Sequence, residues 1–471
     1  TRMFERNLPM LYPNSKYGLR MPIGLMSVID NFKYQVLRDY YEKWYRPDNQ
    51  GIIVVGDVDV DHIEAEIKRL FSDIKMPENP APVVHEAVPD NTEPIIIIDK
   101  DKEQDMNIVE LEVKFDVIPD SLKNTPDYMV IEYLKNTAVS MLNDRLNELS
   151  QKAECPFAAA QANVGNYIFA RTKGCFTVYA LPKDGKAEET LSAIYREVLR
   201  LTKHGFTATE YSRAKANALS AWDKAYSNKD KRYNAQFCNL YKNHFLDNEP
   251  MAGIEWEYNT MNQLIPATSV DLVNQFVQQM PEGNLVVAMF AADKEDNILP
   301  TQEDLFKWMA EVEAEDIEPL KEEVNDEPLI AKMPKPGKVK KIEADKYDAQ
   351  LITLSNGIKI HVKKTDFSPN QISLYGHSWG GTSLYSMDEY DQTDNIGWTS
   401  VGGWGNFSAT ELSKKLAGKQ AHISTDVGTQ SETISGGCVK KDFETMLQLA
   451  YLHFTAPRKD LEAYNSAIQR S

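Results

Sequence analysis

Apolar residues recur along this chain in two rhythms, and the switches between them mark its elements. Val36, Leu37, Tyr40, Tyr41, Trp44 and Tyr45 fall at helical spacing. The breaker Arg46-Pro47-Asp48-Asn49 follows, and Ile52-Ile53-Val54-Val55-Gly56 reads as a short β run. Asp59 and Asp61 are candidate N-caps of a second helix with the stripe Ile63, Ile67, Leu70, Phe71 and Ile74. The same order returns about 235 positions later. Val270, Leu272, Val273, Phe276 and Val277 precede Pro281-Glu282-Gly283-Asn284, the strand run Leu285 to Phe290, and a helix from Thr301 through Leu305, Trp308 and Met309. Such self-similarity predicts tandem copies of one packed module.

Between the copies, Ile95 to Ile98, Ile108 to Phe115, Tyr167-Ile168-Phe169 and Cys175 to Leu181 read as strands. Ile131, Leu134, Ala138, Leu142, Leu146 and Leu149 mark a long amphipathic helix. Another runs through Leu191, Ile194, Val198 and Leu201 to Gly205, and Thr207 with Glu210 has the spacing of a capping box opening the next. Downstream, Leu351 to Leu354, the turn Asn356-Gly357, and alternating Ile358, Ile360 and Val362 predict a hairpin. Phe443, Met446, Leu447 and Ala450 predict a helix. The fold class expected is α+β, built of repeated sheet-plus-helices units, one complete and two partial. Expected boundaries are 1–93 for the end of a first unit, 94–310 for a complete second unit, 311–346 for a linker and 347–471 for the start of a third. Chain ends that fall in mid-unit are expected to need cover from further segments or a partner, as in a fragment of something longer.

The linker reading rests on charge. Residues 311–328 hold nine acids to one lysine, and Lys332 to Lys341 holds five lysines with Pro334, Pro336 and Gly337. Such a stretch is expected to stay solvated at the surface. Over all 471 residues, 70 acidic against 52 basic residues give a charge of -18, which disfavours nucleic-acid partners. No apolar run approaches the roughly 18 residues of a membrane span. Cys155, Cys175, Cys238 and Cys438 form no C-x-x-C and are expected to be free, buried thiols.

Candidate chemistry is sparse. Gly376-His377-Ser378-Trp379-Gly380 fits G-x-S-x-G, the turn that exposes a nucleophilic serine, with Asp391 and His422 downstream in triad order. That turn needs a helix straight after it, whereas Gly380-Gly381-Thr382-Ser383 contains weak helix formers. The repeat also sets 370–385 opposite 107–116, a strand, so Ser378 is expected on a strand with the glycines turning the backbone. His62 and Glu66 are four apart on one helical face, a pair that could begin a metal site or simply be solvated surface. Tyr40, Tyr41, Trp44 and Tyr45 are read as core rather than a ligand cage. Gly402-Gly403-Trp404-Gly405 lacks the Lys-Ser or Lys-Thr of a phosphate loop. The eight histidines form neither H-x-x-E-H nor H-E-x-x-H.

The run Y-x-x-W-Y-R-P-D-N-Q at 41–50, followed by I-I-V-V-G-D-V-D at 52–59 and a helix ending in Leu70-Phe71, resembles the pitrilysin/insulinase zinc peptidases. Leu354-Ser355-Asn356-Gly357, Glu411 to Lys419 and Phe454-Thr455-Ala456-Pro457-Arg458 resemble the non-catalytic half of long bacterial members. The resemblance implies four similar α+β units in two halves, joined by a linker, closing around a peptide held as an added β-strand. It implies a zinc ion in the intact parent, bound through an inverted H-x-x-E-H motif and a further glutamate, whose water attacks the scissile carbonyl. None of those ligands is present here: Met387 to Ile396, where the motif would recur in a third unit, holds acids but no histidine. This chain is therefore expected to supply chamber wall and linker, to carry no catalytic, cofactor-binding or metal residues of its own, and to be inactive alone. The alternatives are a non-catalytic, chamber-forming partner subunit and, further off, a serine hydrolase using Ser378. Peptide or small-protein substrates, a homo-oligomer or a partner subunit, and a bacterial envelope location follow by resemblance alone.

Overall fold

A computed structural model describes residues 2–278, 284–294, 297–322, 324–368, 370–393 and 400–470. The chain divides into two units, residues 1–212 with 231–320, and residues 213–230 with 321–469.

In chain order the first unit contains α1 (Arg2–Leu11), α2 (Met26–Ile29), α3 (Tyr34–Trp44), α4 (Val60–Phe71), β1 (Ile95–Asp101), β2 (Ile108–Asp116), α5 (Asp120–Lys123), α6 (Pro126–Ser150), β3 (Phe157–Asn166), β4 (Lys173–Pro182) and α7 (Ala187–His204). The start of α8 (Ala208–Ser227), then α9 (Asn234–Asp247), α10 (Ile254–Ala267), α11 (Val270–Gln278), β5 (Leu285–Ala292) and α12 (Gln302–Glu313) complete it. Its sheet runs β1-β5-β2-β4-β3, parallel between β1 and β5 and antiparallel elsewhere. Period-2 alternation divides β2 between the two faces. Val109, Leu111 and Val113 are buried on the face that packs against α7, while Glu110, Glu112 and Lys114 point the other way. On that second face α1 covers β1 and β5 through Leu8, Leu11, Tyr12, Ile97, Val286 and Ala288.

Local chemistry sets the helix ends. Pro126 occupies the first turn of α6 and Thr125 caps it. α7 stops at Gly205, whose φ of 70° suits glycine. Thr207 and Glu210 exchange the two hydrogen bonds of a capping box at the start of α8, and Thr301 with Asp304 does so for α12.

The second unit holds β6 (Val339–Ala344), β7 (Gln350–Leu354) and β8 (Lys359–Val362) as one antiparallel sheet. β9 (Gln371–Trp379), α13 (Met387–Thr393), α14 (Ala409–Lys415), β10 (Ala421–Val427), β11 (Ser431–Val439), α15 (Phe443–Thr455) and α16 (Leu461–Arg470) follow. Here the sheet order is β10-β11-β9, backed by α15. Trp404, Phe407, Leu412, Leu449 and Leu452 form the local core. Gly403 and Gly405 take positive φ so that Trp404 can bridge Phe407 and Pro457, a structural turn with no phosphate-loop character.

Four expectations are corrected. Ile52 to Val55 forms no strand, because a strand is defined by its ladder and no described strand pairs with it. Tyr167-Ile168-Phe169 is a turn, with Ile168 at φ 52° and Tyr167 held in the core by hydrogen bonds with Leu11 and Tyr12; the strand lies earlier, at β3. The stripes of α3 and α4 are amphipathic yet bury no residue fully: Trp44, Ile63 and Ile67 are half-buried, Tyr40, Tyr41 and Tyr45 are exposed, and Tyr41 stacks on Tyr45. The acidic segment is not merely solvated. Glu313 accepts from Tyr195 and Glu315 pairs with Arg196, both on α7; in the second unit Glu322 pairs with Arg213 and Lys414. Cys155, Cys175 and Cys438 are buried, Cys238 is half-buried, and none of the four forms a disulfide.

Candidate functional site

Ser378 lies on β9, opposite Glu432 of β11. Its hydroxyl donates to the neighbouring Trp379 carbonyl at 3.5 Å. A 3-10 turn follows at Gly381–Leu384 in place of the helix a nucleophile elbow requires. His422 aligns with Gly437 and through it with Ser373, five residues from Ser378 and, by strand alternation, on the other face. The side chain of Asp391 lies outside the described residues. His422 cannot serve Ser378 as a base, so the triad does not assemble.

His62 and Glu66 both lie on α4, but Glu66 is paired with Arg69 at 2.7 Å, and the backbone N–H of His62 donates to Asp59, the N-cap. Residues 387–393 form α13, while 394–396 of the acidic stretch lie outside the described residues. Among the described residues no group of three or more His, Cys, Asp or Glu is placed to hold a metal ion. Several histidines are engaged elsewhere: His204 with Ile317 O, His244 with Glu249 O, His361 with Asp345, and His453 with Leu449 O while stacked on Trp404. Among the described residues the donor set does not fit zinc.

What the first unit offers is sheet surface. β3 is an edge, ten residues of Phe, Ala, Gln, Asn, Val and Gly with no charge or proline to guard it. The guard is a side chain instead. Asn143 of α6 accepts from the N–H of Ala162 at 2.7 Å and donates to its C=O at 2.9 Å, taking the place of a neighbouring strand. Antiparallel pairing alternates inward and outward backbone groups, so Val164 and Asn166 also point outward. Neither has an edge partner among the described residues. Sequence reasoning missed both β3 and Asn143, since an Ala-rich strand has no apolar alternation and a polar helix residue looks like surface.

On the face away from α7, Glu112 lies beside Glu110 two residues away and within 3.5 Å of the Thr177 hydroxyl. Burial, then the charge of Glu110, pushes Glu112 up to about 7, against the opposing effects of Thr177 and Lys114. Burial likewise raises Glu110. Glu112 therefore changes charge near neutrality, a property the sequence spacing did not reveal.

A profile described as the Peptidase M16 inactive domain matches residues 31–218. The zinc protease PQQL-like protein of Arabidopsis thaliana is 26% identical over 457 residues, covering 96% of this chain and 42% of the relative. The periplasmic protease PqqL of Escherichia coli superposes with a TM-score of 0.61 at 20% identity, over 97% of this chain and 50% of that one. The ferredoxin protease FusC, solved in complex with Arabidopsis ferredoxin, gives a TM-score of 0.61 at 16% identity, over 100% of this chain and 52% of that one. This chain thus spans about half the length of the proteins it matches. By the match over 31–218, the alignment along nearly the whole chain and the shared fold, this chain is similar to the pitrilysin/insulinase peptidases, the M16 family.

Proposed function

We propose that the intact protein containing this chain is a zinc-dependent endopeptidase of protein or peptide substrates, and that this chain supplies wall and linker of its substrate chamber rather than the metal site. The observation that carries the reading is the alignment of 96% of the chain with a named zinc protease while residues 31–218 match the family's inactive domain. In this reading residues 1–93 complete a catalytic-type unit, 94–310 form a second unit, 311–346 link the halves and 347–471 open a non-catalytic third unit. Exposure of Leu37, Tyr40, Leu70 and Phe71 on α3 and α4 supports the first assignment, because such stripes ordinarily close onto a sheet. The ferredoxin bound to FusC supports a protein as substrate class.

A non-catalytic partner subunit of the same family is the second reading, favoured by the same inactive-domain match. The test is hydrolysis of an unfolded protein by the intact parent. The peptidase reading expects activity abolished by a chelator, restored by zinc, unchanged by Ser378→Ala, and absent from this chain alone. Chelator-resistant activity that disappears in Ser378→Ala would overturn it; an intact parent inert under every metal condition would leave the partner reading in its place.

A further inference from the structure

α6 and β3 are pinned together at Asn143 and Ala162, and from there the N-terminal half of α6 and the last residues of β3 enclose a cavity. It holds about 400 Å³, within the range of real ligand sites. Pairing register explains why the space exists. Phe115, Gly174 and Asn166 form one row across β2, β4 and β3, and the middle member has no side chain. A Cβ at Gly174 would lie 2.4 Å from the Phe115 ring, so glycine is what lets that ring lie flat across the strand end. Phe115, Ile131, Val139, Val164 and Phe276 line the space and stay half-buried, although a finished core would bury them.

The rim is charged. Asp116, Glu132 and Glu249 stand there against Lys123 and Lys135, with Glu132 paired to Lys135 and Glu249 accepting from Tyr128. Asp116 is paired with Lys173, and Lys123 pairs with Asp120 just outside and lies 3.9 Å from Glu249, so the four carboxylates of this rim exceed its three ammonium groups by one. Apolar depth with an acidic rim selects an apolar group flanked by cations. The outward N–H and C=O of Val164 and Asn166, which line the same space, match the main chain of a peptide and have no counterpart in a free amine. We propose that this cavity is a peptide-binding pocket that accepts one large apolar side chain flanked by lysine or arginine. The pocket deepens the peptidase reading and rests on it, since it would select which segment of a substrate is held.

Binding is read without hydrolysis, in chelator, by fluorescence anisotropy of a labelled Gly-Lys-Phe-Lys-Gly peptide titrated with this chain. Saturable binding is expected, and the Glu-Phe-Glu and Lys-Ala-Lys analogues should bind at least about ten-fold more weakly, a difference of 1.4 kcal/mol. Val139→Trp fills the cavity and should abolish binding; should that variant misfold, Glu132→Lys serves instead and should reverse the preference toward Glu-Phe-Glu. Equal binding of the three peptides, no saturable binding, an unchanged preference in Glu132→Lys, or phenethylamine competing as well as the peptide would each overturn the pocket. Chelator-sensitive cleavage by the parent is measured separately, so loss of the pocket and loss of the peptidase reading are distinguishable.

Discussion

Replacing Arg145 by methionine should be the most damaging single change in the first unit. Arg145 on α6 is 4% exposed and Glu210 on α8 is 5% exposed. Nε donates to Glu210 Oε1 at 2.6 Å, Nη2 donates to Oε2 at 2.9 Å and also to Gly205 O at 2.9 Å, and the guanidinium lies 4.8 Å from the Phe206 ring centroid. Glu210 meanwhile accepts the Thr207 N–H at the start of α8. The substituted thioether side chain would fill the space but leave a buried carboxylate with that one N–H as its remaining described donor. Removing one partner of such a pair costs about 3–5 kcal/mol, most of it the stranded charge. The charge supplies a signature that a packing defect lacks. The double variant Arg145→Met/Glu210→Gln should recover all but about 1 kcal/mol. Because a chain of two units need not unfold in one step, the assay is amide hydrogen exchange of α6 and the start of α8. A loss below about 1 kcal/mol, or one that Glu210→Gln does not relieve, would refute the argument.

Three further outcomes follow from the geometry. Glu112 folds with a pKa of about 7 against an ordinary 4.5, so its contribution is fully present below 4.5 and is lost as pH rises through 7; Glu112→Gln should stabilise the first unit by about 1–2 kcal/mol at pH 8, after solvent screening, with little effect at pH 4, seen in thermal melts at the two pH values. Gly205→Ala places a Cβ 2.4 Å from the Asn274 side chain at a φ of 70°, where Asn274 accepts the Phe206 N–H; a loss of more than about 1 kcal/mol in chemical denaturation is expected, and a neutral outcome would contradict the strain. Asn143→Leu should strand the N–H and C=O of Ala162 on the β3 edge, costing about 1–3 kcal/mol and raising light scattering on concentration, whereas unchanged solubility and stability would show the cap to be dispensable.

Periodicity in the sequence was enough to determine most elements: α6 and α7 by their stripes, β2, β4 and β5 by apolar runs, the β7–β8 hairpin by Asn356-Gly357, and the helix starts at Thr207 and Thr301 by their caps. These features rest on residues within a few positions of one another, so local chemistry decides them. The place of Ser378 on a strand was legible for the same reason, once the repeat put it opposite β2. Only tertiary structure decided which strands are real and which groups meet. Ile52 to Val55 has strand chemistry but no described partner, while Ala-rich β3 is a strand because β4 offers it a ladder. The Asn143 cap, the Arg145–Glu210 pair, the Glu112 environment and the cavity above Gly174 each depend on residues brought together from separate elements. Contacts of that kind depend on how a sheet registers and which helix lies on it, and linear spacing carries neither.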